Sequence, residues 1–243
     1  SGFDQQKMTF RHDYLGDTDS FQTTFSAANL NQKTAGYEVG PEAYKDTTES
    51  RTNESDNAYR DVKSVRLATR WDHELSDDSY FSVTPYVRHT EMELLMHFLP
   101  GDSIEKNEHQ SAGVLLSYNR DLEGGHKIIV GTDLEYTQAE LSEIQTAPTE
   151  NGFDPGIHYD YEVDATVIAP YFHTEWQLAE KTRMTVGTRF EYTRYEYDNK
   201  TADGVFSKFL RPADGTDTFN NFSPKLGFVQ NLTDDTSSFL NLA

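Results

Sequence analysis

Five short segments, each opening on a leucine and running into small or acidic turn formers, recur along this chain and restrict it to a meander of antiparallel strands. They are Leu15-Gly16-Asp17-Thr18-Asp19, Leu75-Ser76-Asp77-Asp78-Ser79, Leu122-Glu123-Gly124-Gly125-His126, Leu178-Ala179-Glu180-Lys181-Thr182 and Leu232-Thr233-Asp234-Asp235-Thr236. Asp, Gly and Ser favour turns because they tolerate left-handed backbone or hydrogen-bond their own main chain. Successive turns stand roughly 50–60 residues apart, room for one long hairpin and one long loop per repeat.

The segments beside the turns alternate with period two, the signature of strands with one apolar face. Val65, Leu67, Thr69 and Trp71 oppose Ser64, Arg66, Arg70 and Asp72, and Phe81, Val83, Pro85 and Val87 oppose Ser82, Thr84, Tyr86 and Arg88. Around the third turn Ala112, Val114, Leu116 and Tyr118 share a face, as do Ile128, Val130, Thr132, Leu134 and Tyr136. Around the fourth, Ile168, Pro170, Phe172, Thr174 and Trp176 oppose Tyr171, His173, Glu175 and Gln177; then Met184, Val186, Thr188, Phe190 and Tyr192 oppose Thr185, Gly187, Arg189 and Glu191.

A soluble sandwich alternates too, so the environment must be argued separately. Short and long connections alternate strictly, as when one rim faces the periplasm and the other the outside. The apolar faces often end in an aromatic, as at Trp71, Tyr118, Tyr136, Trp176 and Tyr192, which suits interfacial girdles. The opposite faces carry Arg, Glu, Asp and His, too polar for a dry core but suited to a wet lumen. The expected fold is therefore all-β: an antiparallel transmembrane β-barrel segment of about ten strands with short periplasmic turns and long extracellular loops. The loops are expected near residues 31–60, 96–109, 145–160 and 198–220, with strands such as the one from Ser79 to about Leu95 projecting beyond the bilayer.

Composition excludes several alternatives. A formal net charge of -20 argues against nucleic acid as a partner, since phosphate recognition needs clustered Lys and Arg. Disorder is disfavoured by 13% aromatic residues. The absence of cysteine removes disulfides and thiolate metal sites. No stretch approaches the ~18 apolar residues of a membrane helix, a test that transmembrane strands evade. Ser1-Gly2-Phe3-Asp4 reads as an arbitrary start without a signal peptide, and Phe239-Leu240-Asn241-Leu242-Ala243 stops inside an apolar run. The chain is thus expected to be a piece of a longer protein.

Phe222-Ser223-Pro224-Lys225-Leu226-Gly227-Phe228, the turn at Leu232 and then Ser238-Phe239-Leu240-Asn241-Leu242-Ala243 resemble the mid-barrel signature of TonB-dependent outer-membrane receptors. Gly187-Thr188-Arg189-Phe190-Glu191-Tyr192 is similar to the strand usually found upstream of it, and Asn29 to Tyr37 with Ala43-Tyr44-Lys45-Asp46 is similar to loop sequence of iron-complex receptors. The resemblance implies a Gram-negative outer-membrane barrel that takes up a ferric siderophore or similar nutrient with energy from TonB. It implies outer-membrane lipid and lipopolysaccharide as surroundings and the TonB complex as a partner through a plug. No plug, energy-coupling box or terminal aromatic is visible here, so residues 1–243 are expected to form part of one receptor β-barrel domain, with the plug and the remaining strands absent.

No catalytic constellation stands out, and the chain is not expected to be an enzyme or to hold a cofactor. Serines occupy no G-x-S-x-G elbow, and the pairs Asp77–Asp78 and Asp234–Asp235 fall in turns. Asp17, Asp19, Asp77 and Asp78 form no calcium loop. His89, His97, His109 and His173 make no H-x-x-x-H pair, which leaves no metal site in view; solvated lumen residues are the plain alternative. Arg and Tyr near an outer mouth suit an anionic chelate through charge-assisted hydrogen bonds and stacking. On that reading Arg88, His97, Phe98, Tyr171, Arg189 and Arg211 are the candidate ligand contacts. The run Leu94 to Pro100 reads as a loop packed on the wall or a hydrophobic contact, and the acidic loop from Glu38 to Asp56 as a solvated segment. Two alternatives stay open: a complete small outer-membrane barrel of ten strands acting as pore or hydrolase, and a secreted carbohydrate-binding sandwich with Trp71, Phe81, Phe172, Trp176 and Phe190 in a dry core.

Overall fold

The computed structural model describes residues 2–34, 40–48, 57–95, 102–148 and 153–242. Ten strands form one antiparallel sheet: β1 (Phe3–Leu15), β2 (Asp19–Lys33), β3 (Tyr59–Ser76), β4 (Ser79–Leu95), β5 (Ser103–Leu122), β6 (His126–Gln145), β7 (Gly156–Ala179), β8 (Thr182–Asn199), β11 (Gly215–Asn231) and β12 (Ser237–Leu242). A separate two-stranded hairpin, β9 (Gly204–Phe206) and β10 (Phe209–Arg211), lies within the β8–β11 connection. All five leucine-led segments are the short turns. At the third, the loop Glu123 to Gly125 joins Leu122 to His126, and Gly124 and Gly125 both take φ near +80°, left-handed backbone that glycine adopts freely and a side chain resists.

Register places the apolar residues on one face. Phe21 stands opposite Trp71, Val87 opposite Ala112, Leu134 opposite Ile168, and Phe190 opposite Phe222. Few of these side chains are covered. Val87 is 52% exposed, Val130 47%, Phe172 39% and Phe190 42%, while the buried apolar residues are Ala58, Leu95 and Ala169. A soluble sandwich would hide Phe172, Trp176 and Phe190 between two sheets; here no second layer is present among the described residues, so the sandwich reading fails. β1 and β12 do not pair with each other, so the sheet is not the closed ten-stranded barrel of the other alternative.

Trp176 lies opposite Met184, and Tyr192 stands eight residues further along β8. At ~3.4 Å per residue that is about 27 Å along the strand, which tilt brings near the ~25 Å apolar band of an outer-membrane barrel. Trp71, Tyr118 and Trp176 mark its turn-side edge, and Tyr136 and Tyr192 the other. Beyond it the strands continue with polar residues, so the loops are shorter than the sequence suggests. Residues 103–109 belong to β5 rather than to a loop, and β7 starts at Gly156. Above the bilayer a strand needs only its ladder, not apolar alternation, so the sequence signal fades before the strand ends.

The face assignment has a direct test. Leu134 and Leu115 are similarly exposed, 36% and 39%, but lie on opposite faces of adjacent strands. In the bilayer-embedded protein, Leu134→Arg should lower the unfolding free energy by ~2–4 kcal/mol, and Leu115→Arg by clearly less. Denaturant titration in phospholipid vesicles measures both, and the reverse order would refute the assignment.

Candidate functional site

The polar face of β4 to β8 carries a wall of two neighbouring hydrogen-bonded clusters. Arg88 of β4 donates from Nε to the Ser111 hydroxyl (3.1 Å) and from Nη2 to Glu135 Oε1 (2.8 Å). Tyr86 donates to the other Glu135 oxygen, Ser111 and Thr137 share a hydroxyl bond of 2.7 Å, and Thr137 donates to Glu135 at 3.1 Å. The Arg66 guanidinium sits over the Tyr86 ring, 5.6 Å from its centroid. Two residues before Glu135, and on the same face, Asp133 accepts from Arg189 of β8, whose Nη2 also donates to Glu191 at 3.3 Å. Tyr171 stands directly opposite Arg189.

Two glycines let the tyrosines lie flat. The nearest atoms a Cβ on Gly113 would meet belong to the Tyr86 side chain, at 2.5 Å, whereas one on Gly131 would meet both the Tyr171 ring and the Leu116 carbonyl oxygen, each at 2.4 Å. The rings therefore bridge strands that a side chain would hold apart.

Of the residues nominated from sequence, Arg88, Tyr171 and Arg189 are brought into this one wall. His97 and Phe98 lie outside the described residues. Arg211 is elsewhere: on β10 it donates from Nε to the His158 carbonyl (3.0 Å) and from Nη2 to that of Ile157, with its guanidinium over the Phe206 ring. Sequence reading missed Tyr86, Asp133 and Glu135, although their period-two placement opposite the apolar residues of β4 and β6 was the available signal. It also missed His158 and Glu143, for which no periodic signal exists.

The outer ends of β3, β4 and β5 form a second polar site on the other face, the one that carries the apolar band lower down. A groove of ≈ 350 Å³ is lined by Asp61, Lys63, Glu91, Glu93, Lys106 and Glu108 among others. Lys63 bonds Glu91 at 2.6 Å and Lys106 bonds Glu93 at 2.8 Å, which holds both carboxyls below the usual range. Tyr59 donates to Glu93 at 2.5 Å, and burial together with that bond pushes its phenol up to about 12. Each lysine is matched to one carboxylate and the groove keeps an excess of acids, yet among the described residues no cluster of His, Asp and Glu could hold a metal ion.

The open sheet, its exposed apolar belt and its ion-paired polar face together define an outer-membrane barrel wall. The description "TonB dependent receptor-like, beta-barrel" matches residues 2–243, and the chain belongs to that family, whose members are transporters rather than enzymes. Similar solved structures include the ferric citrate transporter FecA in unliganded form (TM-score 0.80, 12% identity, 98% of this chain and 35% of that one). The ferric-catecholate import receptor Fiu from E. coli K12 in its open form gives 0.71, 13%, 98% and 46%, and the copper transporter OprC gives 0.73, 11%, 98% and 36%. No curated protein sequence matches the chain. At these identities the likeness is one of fold, and this chain spans less than half of each of those structures.

Two outcomes follow. Gly131→Ala should destabilise by ~1–3 kcal/mol through overpacking against backbone, and Gly113→Ala by less because the Tyr86 ring can swing; thermal unfolding of the two variants compares them. The raised Tyr59 phenol favours the neutral form, so its contribution is complete below about 10 and is lost as pH rises towards about 12. Ultraviolet difference titration against Tyr59→Phe should place that ionisation near the upper value.

Proposed function

We propose that the complete protein is an outer-membrane receptor of a Gram-negative bacterium that takes up a ferric siderophore or similar small nutrient with energy from the TonB complex. Residues 1–243 are then part of one receptor barrel domain. The observation that carries this reading is the one-sided character of the sheet, exposed and apolar on one face, ion-paired and wet on the other, in a chain of this family. β1 and β12 each leave a backbone edge unpaired among the described residues, and such an edge is not tolerated in lipid. Further strands of the same protein would supply the missing partners, and a plug would face the polar wall and contact TonB. Lipid meets the apolar belt, and lipopolysaccharide the polar strand ends above it.

The chemistry of capture rests on the polar face. Arg88 and Arg189 are held forward by carboxylates on β6, each guanidinium bonded at the edge and free to stack or to exchange one partner. An anionic chelate would take over bonds now made to Glu135 or Asp133, a change between charge-assisted hydrogen bonds of similar strength. Tyr171 between them offers an aromatic face. Arg211, committed to two carbonyls, contributes by shaping a loop.

The test is uptake by cells producing the complete protein. Iron delivered as a ferric chelate should accumulate only when TonB is present, and uptake indifferent to TonB would sink the proposal. Arg88→Ala with Arg189→Ala should weaken chelate binding by roughly tenfold or more, because charge-assisted bonds contribute ~1.5–3 kcal/mol each. Unchanged affinity would remove these two residues from the ligand site while leaving the transport reading intact.

A further inference from the structure

The outer end of β7 holds a buried ionisable pair that the polar wall does not use. Between Glu143 and Ile144 the β6–β7 register slips by one, so that Ile157, His158 and Tyr159 face only two residues and His158 is the extra one. Such a bulge bends its strand and re-aims a side chain. Here it points the fully buried His158 ring at Glu143. Nδ1 lies 2.9 Å from Glu143 Oε1, and Nε2 lies 3.1 Å from the backbone oxygen of Asp154. Ser103 donates to the same Glu143 oxygen at 2.8 Å.

The β9–β10 hairpin closes over this pair. Phe209 stacks on the imidazole at a centroid distance of 3.9 Å, and Phe206 leans against its side. Arg211 ties the hairpin to the carbonyls of Ile157 and His158. Ser207, at the hairpin tip with φ 53°, accepts from the Asp154 N–H at 3.4 Å, and the Lys208 ammonium lies over the Phe153 ring. Nearly every tie between the hairpin and the sheet thus converges on residues 153–159.

Proton number decides whether this arrangement is satisfied. A neutral imidazole has one N–H and one lone pair, yet both ring nitrogens of His158 face acceptors. Both contacts become hydrogen bonds only when the pair holds one extra proton, as imidazolium beside a carboxylate or as a Glu143 carboxyl donating to Nδ1. Without that proton a ring lone pair faces an oxygen lone pair in a dry pocket, which is costly. The other charges around the ring do not relieve this. Arg211 from β10 is spent on main-chain carbonyls, Lys208 lies across Phe153, and Tyr159 and Asp160 follow on β7.

We propose that His158 and Glu143 form a proton-dependent latch, which holds the β9–β10 hairpin down while the pair keeps its proton and loosens it when that proton leaves. The extra proton completes the two ring contacts of the closed form, so acid favours closure and rising pH favours opening. The latch stands on loop geometry alone and is independent of which nutrient the receptor carries.

These 243 residues contain no cysteine, so Val205→Cys on the hairpin, 74% exposed, carries a single nitroxide in the full-length protein in outer-membrane vesicles once any cysteine elsewhere in it is replaced by serine. The mobile fraction of the label should rise severalfold, reversibly, between about pH 5 and about pH 8.5, the range in which histidine changes charge. Glu143→Gln should hold the hairpin immobile throughout, since an amide nitrogen in the place of Oε1 can donate one hydrogen to a neutral ring and the other to the Ser103 hydroxyl. His158→Ala should leave the hairpin mobile at every pH. A flat response in the parent overturns the latch, as does a pH response surviving in Glu143→Gln or an immobile hairpin in His158→Ala.

Discussion

The backbone hydrogen-bond ladder is the constraint on which the rest of this structure depends. In lipid an unpaired N–H or C=O has no water to turn to, so each strand must run in unbroken register with its neighbours across the apolar band. β5 and β6 pair continuously from Ser103 opposite Gln145 to Leu122 opposite His126. The three bulges fall outside the band: at Glu74/Ser76 and Gln177/Ala179 beside short turns, and at Glu143/Ile144 near the outer rim. Within the band the ladder skips at Pro85 towards β3 and at Pro170 towards β8, because proline has no N–H to give. Both prolines keep their place opposite Val114 and Thr132 on the other side, so a pairing is lost without a change of register.

Once register is fixed, alternation does the sorting. A slip of one residue would send Val130 and Leu134 to the lumen side and Asp133 and Glu135 into lipid, an exchange the bilayer forbids. The same rule that exposes apolar side chains outward therefore gathers acids and cations on the other face, where they have only one another. Arg88 and Arg189 reach Glu135 and Asp133 across intervening strands, Tyr86 lies over Gly113 to reach Glu135, and the Tyr171 ring lies over Gly131. The wall is cross-linked laterally by its polar side chains, in a protein that has almost no hydrophobic core.

This explains what could be read from sequence and what could not. The short turns and the facing apolar sets, from Val65–Trp71 to Met184–Tyr192, were legible because the bilayer imposes both period and length on them. Strand ends were not, since Lys106, Glu108, Glu140 and Glu162 satisfy a ladder without advertising it, and the second half of the region expected as a loop at 96–109 belongs to β5. Arg88, Tyr171 and Arg189 were legible as polar-face residues from the alternation, but Tyr171 and Arg189 sit within the band rather than at its outer edge, and their neighbours Glu135 and Asp133 carry no signal beyond that same alternation. The β9–β10 hairpin and the His158 bulge carry no periodic signature at all. They depend on one extra residue in β7, and a single insertion is invisible where the neighbouring residues Asp154 to Asp160 are already irregular.

Arg211 shows how the two levels of organisation meet. Read as a charge it belongs with Arg88 and Arg189, but the structure separates them by what each guanidinium touches. On the wall, arginines face carboxylates, partners that another anion can replace at little net cost. On the hairpin, Arg211 faces two main-chain carbonyls made available by the bulge, and no anion can substitute for those without also releasing the loop. The same side chain is thus a partner of carboxylates where the ladder is regular and a fastener where the ladder slips. The difference arises from register, the property the membrane enforces within the band and relaxes beyond it.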